Sequence, residues 1–278
     1  MASKRSVVVT GGASGIGLGI TKHFIQDPNT QITILDINPK TGAETIEKLL
    51  AEFPSARISF EECDVSSWES QASAFEKIFE QQGQIDIVFA NAGITECGSL
   101  LPLKGGDLST RPSKPNLATV NVNFVGVIYS VQLAIHYMAR NKLAPSEDSS
   151  NGLIVCTASN AGLYPLPIAP LYAATKHGVI GLVRSLGRSL LPENIRINAL
   201  APAVVETNIA SNKDLFQSMV ITPMSTVTKA VTQLVDDITL TGKVAELHGG
   251  SVTFAEPPAY VDEDTGRNIE TFWNLGIA

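Results

Sequence analysis

Short runs of β-branched and aliphatic residues alternate with longer segments whose apolar positions recur every three or four residues, up to about residue 200. The short runs predict strands at Ser6 to Thr10, Gln31 to Asp36, Arg57 to Glu62, Ile85 to Ala90, Leu153 to Ala158 and Ile195 to Leu200, with a weaker one at Val244 to Leu247. Helical spacing predicts helices over Gly17 to Gln26, Thr41 to Glu52, Gln71 to Gln81, Leu117 to Arg140 and Leu171 to Leu191. Strands that are apolar at nearly every position belong in a sheet covered on both faces, and strictly alternating β and α segments make its strands parallel. The expected fold class is α/β, a single doubly wound parallel sheet flanked by helices. No repeat, low-complexity segment or Gly/Ser-rich linker divides the chain, so one domain is expected over residues 1–278.

Three stretches break the alternation: residues 95–116 and 204–225 each follow a strand end, and 163–170 carries three prolines among apolar residues. Ligands of open α/β sheets bind outside the carboxyl ends of the strands, which makes these loops candidate substrate walls; solvated connectors are the plainer alternative. Phe124 to Ala139 is the most apolar long stretch, but Tyr129, Ser130, Gln132 and His136 interrupt it. It falls short of the roughly 18 apolar residues of a membrane span and reads as a core helix.

Charge and cysteine usage narrow the function classes. Among 278 residues, 20 Lys and Arg face 27 Asp and Glu, a formal charge of −7, leaving no cation excess for nucleic acid or an acidic membrane face. Cys63, Cys97 and Cys156 are far apart and lack CxxC spacing, which argues against a disulfide framework and a structural zinc site. Reduced thiols and a cytoplasmic location are expected, since Met1 to Arg5 run straight into the first strand without a signal-like apolar region.

Val7 to Gly19 reads VVVTGGASGIGLG, a glycine-rich turn between a buried strand and a helix. Glycine permits positive φ and close backbone approach, so the amides opening the helix can face a pyrophosphate, with Gly11, Ser14, Gly15, Ile16 and Gly17 as the cradle. Nineteen residues beyond Gly17, Asp36 ends the second strand, where a carboxylate accepts ribose hydroxyls and repels a 2′-phosphate. No Lys or Arg follows at Ile37 or Asn38, so NAD is favoured over NADP; a helix cap or turn is the competing role for Asp36. Asp64, before Val65 at the end of the third strand, can receive an adenine amino group or cap a helix starting near Ser66.

Tyr172 and Lys176 stand four residues apart in a helical segment and so share a face. The ammonium is expected to favour the ionised phenol; moving a phenol two to three pH units toward neutrality takes roughly 3–4 kcal/mol. Ser159 sits just past the strand Leu153 to Ala158, at the carboxyl rim, where a hydroxyl can hold a substrate oxygen or cap a loop.

These motifs resemble the short-chain dehydrogenase/reductase family, whose fold is Rossmann-like. The matching positions are Thr10-Gly11-x-x-x-Gly15-x-Gly17, Asn91-Ala92-Gly93, Asn123, Ser159, Tyr172 and Lys176, in order over about Val7 to Thr207. The resemblance implies hydride exchange at a nicotinamide, with Tyr172 as acid/base, Ser159 orienting the substrate oxygen and Lys176 holding the nicotinamide ribose. It also implies that Asn123 keeps a water in a proton relay to Lys176; a buried amide bonded only to backbone is the competing role. Pro202, Val205 and Thr207 match positions beside the carboxamide. Ala90 and Ala203 depart from the pattern, standing where asparagine and glycine are usual. The segment Tyr172 to Gly181, the stretch Pro165 to Pro170 and the tail most resemble the branch of NAD-dependent 15-hydroxyprostaglandin dehydrogenases.

The expected activity is therefore NAD-linked exchange between a secondary alcohol and a ketone on a small, largely apolar substrate, with no metal. An NADPH-type ketoreductase, an epimerase or cyclase on the same scaffold, and a dinucleotide-binding protein without turnover remain as rivals. The family's equivalents of Leu117 to Arg140 and Leu171 to Leu191 pair across two-fold axes, which implies a homodimer or homotetramer. His177 reads as a structural or interface residue.

Overall fold

The structure, a computed structural model, describes residues 5–98, 100, 111, 113–141, 150–207 and 218–276. Its strands are β1 (Arg5–Thr10), β2 (Thr30–Asp36), β3 (Arg57–Glu62), β4 (Ile87–Ala90), β5 (Gly152–Thr157), β6 (Ile195–Pro202), β7 (Val244–His248) and β8 (Ser251–Phe254). They form one sheet in the order β3-β2-β1-β4-β5-β6-β7-β8. The helices are α1 (Gly15–Phe24), α2 (Pro39–Glu52), α3 (Trp68–Gln82), α4 (Ala118–Val120), α5 (Gly126–Met138), α6 (Pro170–Ser189), α7 (Met224–Asp236) and α8 (Glu263–Leu275). A π-helical turn, Asn121–Val125, joins α4 to α5.

Alternation along β1 sets the two halves of the core. Val7 and Val9 pack with Ile87, Phe89, Leu153 and Val155 beneath Ile20 and Phe24 of α1 and Val227, Val231 and Leu234 of α7. Val8 faces the other way, with Val88, Ile154 and Ile197, beneath Phe75 and Ile78 of α3, Val131 and Met138 of α5, and Val179 and Val183 of α6. Burial on both faces is why these strands are apolar throughout, each such side chain contributing roughly 1.5–3 kcal/mol. Val8 pairs with Thr33 of β2 on one side and Val88 of β4 on the other. Between β1 and β4 the chain reverses its direction of travel across the sheet, the switch point at which open α/β sheets bind ligands.

Several boundaries differ from expectation. The sheet is parallel from β3 to β7, but β8 adds an antiparallel edge, with His248 opposite Ser251 and Gly249-Gly250 as a two-residue loop. Gly249 has φ +50°, the left-handed conformation such a turn requires. β4 begins at Ile87 rather than Ile85, because the Asp86 carboxylate accepts the Ser6 amide at 2.6 Å. Helices α7 and α8 were outside the expected set. The 21-residue run Ala118–Met138 is, against expectation, long and apolar enough by composition to cross a membrane; its Val127, Val131, Ala134 and Met138 are buried in the core instead.

Candidate active site

The glycine turn is shaped by two close approaches. Gly11 has φ +63°, and a Cβ there would lie 2.9 Å from the Ala92 Cα. At Gly17 a Cβ would stand 2.2 Å from the Gly11 carbonyl oxygen, so α1 packs against the turn only without a side chain. Ser14, the N-cap of α1, makes no capping hydrogen bond with its side chain, and no acidic residue lies in the first turn. The opening amides and the positive end of α1 thus form an anion cradle.

That cradle is one end of a cleft of about 590 Å³ running along the carboxyl ends of the strands. Gly11, Ser14, Gly15 and Ile16 line its start, and Asp36, Asp64 and Val65 one flank. Asn91, Ala92 and Gly93 form its middle, Pro202, Val205 and Thr207 another wall, and Ser159, Tyr172 and Lys176 also line it. Lys176 is the only Lys or Arg among its described lining residues.

Asp36 is not the cap of α2, which is Asn38, accepting the Thr41 amide. Its Oδ2 accepts the Ala13 amide at 3.3 Å, bringing the carboxylate to the turn. Asp64 likewise does not cap α3; Ser67 does, accepting the Ser70 amide, while Asp64 Oδ1 accepts the Ser66 amide and hydroxyl at 2.9 and 2.7 Å.

Lys176 is buried, 3% exposed, with Nζ donating to the Thr157 carbonyl at 2.7 Å and lying 5.5 Å from the Tyr172 ring centroid. Ser159 accepts the Ala161 amide at 3.1 Å, so it caps a 3₁₀ turn, and its hydroxyl lies on the Tyr172 side of the cleft, where it lowers the phenol's pKa. The electrostatics correct one expectation. Burial raises the Tyr172 phenol above its ordinary pKa, and the Ser159 hydroxyl is what opposes it. The same burial brings Lys176 down to about 8. Burial strips hydration from both charged forms and is the largest cause at each group.

A glycine turn after the first strand and a Tyr/Lys/Ser cluster at the carboxyl rim agree with one family pattern, that of the short chain dehydrogenases, which matches residues 5–218. The chain belongs to the short-chain dehydrogenase family. Short-chain dehydrogenase/reductase prx7 of Penicillium rubens is 34% identical over 278 aligned residues, covering 94% of this chain and 93% of its own length. A 15-hydroxyprostaglandin dehydrogenase of Rattus norvegicus, whose name specifies NAD(+), is 28% identical, covering 76% of this chain and 72% of its own. The solved structure of gox2181 superposes with a TM-score of 0.74 at 27% identity, over 89% of this chain and 95% of that one. This short-chain dehydrogenase is accordingly an oxidoreductase of a family that uses a nicotinamide cofactor.

Two expected site residues of the dehydrogenase stand behind the cleft rather than on it. Gly17 lies beneath the turn, and Asn123 is fully buried. Asn123 Oδ1 accepts the Ile94 amide and Nδ2 donates to the Ile94 carbonyl, both at 2.8 Å. The side-chain amide is thus spent on backbone, because the π-helical turn aims it at the strand exit. Ala203 lines the cleft without a left-handed backbone, Asn194 being the only described non-glycine residue with positive φ.

Of the expected walls, Thr95, Val204, Val205 and Thr207 line the cleft, whereas no residue of 163–170 does. There Tyr164 turns away, donating to Glu246 at 3.2 Å. Residues 99, 101–110, 112 and 208–217 of those loops lie outside the described residues. His177 is exposed, its Nδ1 3.0 Å from the Ala173 carbonyl of its own helix.

Sequence reasoning gave Thr10 only as part of the glycine motif and did not single out Thr157 or Glu96. The Thr10 hydroxyl accepts the amides of Asn91 and Ala92 at 2.9 and 3.0 Å. Thr157 donates to Asn91 Oδ1 at 3.0 Å while its carbonyl holds Lys176. Glu96 receives two amides at the start of α6. Thr10 had a signal, since it opens the glycine motif; the others depend on contacts between distant segments.

Proposed function

We propose that the chain exchanges a hydride between NAD(H) and a secondary alcohol or ketone on a small, largely apolar substrate. The observation that carries this reading is one cleft joining an uncapped helix start to the half-buried Tyr172 and the buried Ser159 and Lys176. The residues fit a dinucleotide: the α1 amides would hold the pyrophosphate, Asp36 the adenosine ribose, and Asp64 and Val65 the adenine. Asn91 to Gly93, Pro202, Val205 and Thr207 would flank the nicotinamide half. Asp36, with no Lys or Arg beside it among the described residues of the cleft, supports NAD rather than NADP, as does the name of the rat relative.

A bound nicotinamide supplies the hydride donor or acceptor. The Tyr172 hydroxyl gives a proton to the substrate oxygen in reduction and receives it in oxidation, while Ser159, lining the same cleft, holds the same oxygen. Lys176, fixed by the Thr157 carbonyl, would bind the nicotinamide ribose, and it keeps a positive charge behind the phenol at neutral pH. Asn123 fixes the strand exit at Ile94 through both ends of its side-chain amide. Ile94, Val122 and Val204 make the remaining cleft surface apolar, which supports a hydrophobic substrate. The reading further places the chain in the cytoplasm as a homodimer or homotetramer through α5 and α6, with Cys63, Cys97 and Cys156 as thiols.

The test is a panel of hydrophobic secondary alcohols and ketones, each assayed with both nicotinamide cofactors by absorbance of the reduced form. Turnover of at least one member with NAD(H) preferred is expected. No turnover with either cofactor, or a preference for NADP(H), overturns the reading.

A further inference from the structure

Helix α6 carries Tyr172 in its first turn, and its own sequence does not cap it. The N-cap position is Ala169, which has no acceptor side chain, and Pro170 has no amide to donate. The Ala173 amide reaches the Ala169 carbonyl at 2.9 Å, closing the first helical turn. Two orphan donors remain, the amides of Leu171 and Tyr172. Both go to one carboxylate far away in sequence: Leu171 N donates to Glu96 Oε1 at 3.2 Å and Tyr172 N to Oε2 at 2.6 Å. A charged acceptor at the positive end of a helix makes the stronger kind of hydrogen bond.

Glu96 is itself held on a tied segment. Asn123 clamps Ile94 through both its amide and its carbonyl. The Thr119 hydroxyl donates to the Thr95 carbonyl at 3.0 Å and accepts the Cys97 amide at 2.9 Å. Thr119 and Asn123 are both fully buried. The residues flanking Glu96 are thus pinned to the helix on one side, and its carboxylate reaches the turn that carries the phenol on the other.

We propose that Glu96 is a positioning residue for Tyr172, a carboxylate clamp that fixes the backbone from which the phenol is aimed at the substrate oxygen. The proposal rests on the reading that Tyr172 carries the proton. Glu96 acts through the Leu171 and Tyr172 amides, so its loss lowers the chemical step rather than dinucleotide binding. Misplacement of a reacting group by an ångström costs up to about a hundredfold in rate.

The test compares Glu96→Gln, Glu96→Ala and Tyr172→Phe with the parent chain, using an alcohol or ketone turned over by the parent. Three quantities are read: kcat at saturating cofactor and substrate, NADH affinity by fluorescence, and the thermal midpoint. Expected for Glu96→Ala is a kcat lower by about tenfold to a hundredfold, with NADH affinity within about twofold. Glu96→Gln keeps the size and one acceptor and so falls between parent and Glu96→Ala, on a fold with an unchanged midpoint. Glu96→Ala with parental kcat beside an inactive Tyr172→Phe overturns the proposal alone. So does a Glu96→Gln variant that loses kcat and NADH affinity by the same factor. A Tyr172→Phe variant that keeps full turnover overturns the underlying reading, and the proposal with it.

Discussion

Replacing Lys176 with Met removes an ammonium that is 3% exposed and whose pKa burial lowers from 10.5 to about 8. Because the folded value lies below the unfolded one, the unfolded chain binds one more proton between about pH 8 and 10.5. Stability therefore rises with pH across that window, and below it the full cost of burying the charged form remains. The shift corresponds to roughly 3 kcal/mol, of which about 2 kcal/mol is recovered between pH 7 and pH 9.5. The Met variant lacks this slope. It also loses the hydrogen bond to the Thr157 carbonyl, worth about 1 kcal/mol, and still comes out more stable at pH 7. The assay is urea unfolding of both chains at pH 7 and 9.5, at one protein concentration because assembly makes stability concentration-dependent. Other titrations, Tyr172 included, are common to both chains and cancel in the difference. The stability gap should move by about 2 kcal/mol in favour of the parent as pH rises. Parallel profiles, with a gap constant to about 0.5 kcal/mol, would refute a buried Lys176.

Asp36→Ala should lower the ratio of kcat/KM for NAD over NADP by at least about tenfold, equivalent to roughly 1.4 kcal/mol; an unchanged ratio removes Asp36 from cofactor choice. Gly17→Ala sets a methyl 2.2 Å from the Gly11 carbonyl oxygen, so dinucleotide affinity by NADH fluorescence should fall at least about tenfold, and parental affinity contradicts the cradle. Burial raises the Tyr172 pKa, so the unprotonated phenol that alcohol oxidation needs is scarce at neutral pH. Oxidation measured at saturating substrate should therefore accelerate from pH 7 to 9.5 while ketone reduction does not, and matching profiles in the two directions speak against Tyr172 as the proton carrier.

The sheet and most of the site were legible because their signals are local. Val7 to Val9 are apolar in succession, as a strand buried on both faces must be, and the glycine motif follows at once. Tyr172 and Lys176 declare a shared face by spacing alone. The Gly249-Gly250 hairpin was also written in the chain, two glycines between Val244 to Leu247 and Ser251 to Phe254, but the parallel pattern of the preceding strands obscured it. Helix α7 begins at Met224 after an N-cap, Pro223, that has no side-chain acceptor, so no start signal marked it. What the sequence could not carry is contact between segments far apart. Glu96 meets Leu171 and Tyr172 across 75 and 76 residues, and Asn123 meets Ile94 across 29. The direction of the Tyr172 shift was misjudged for a related reason: helical spacing reveals the neighbouring cation but not how deeply both groups are buried.

The most direct measurement is single-turnover hydride transfer by Tyr172→Phe, paired with an NADH fluorescence titration of the same sample. Loss of the phenolic proton should slow transfer by about a hundredfold to ten-thousandfold, while NADH binds within about twofold of the parent. Hydride transfer at the parental rate with NADH bound would contradict the account.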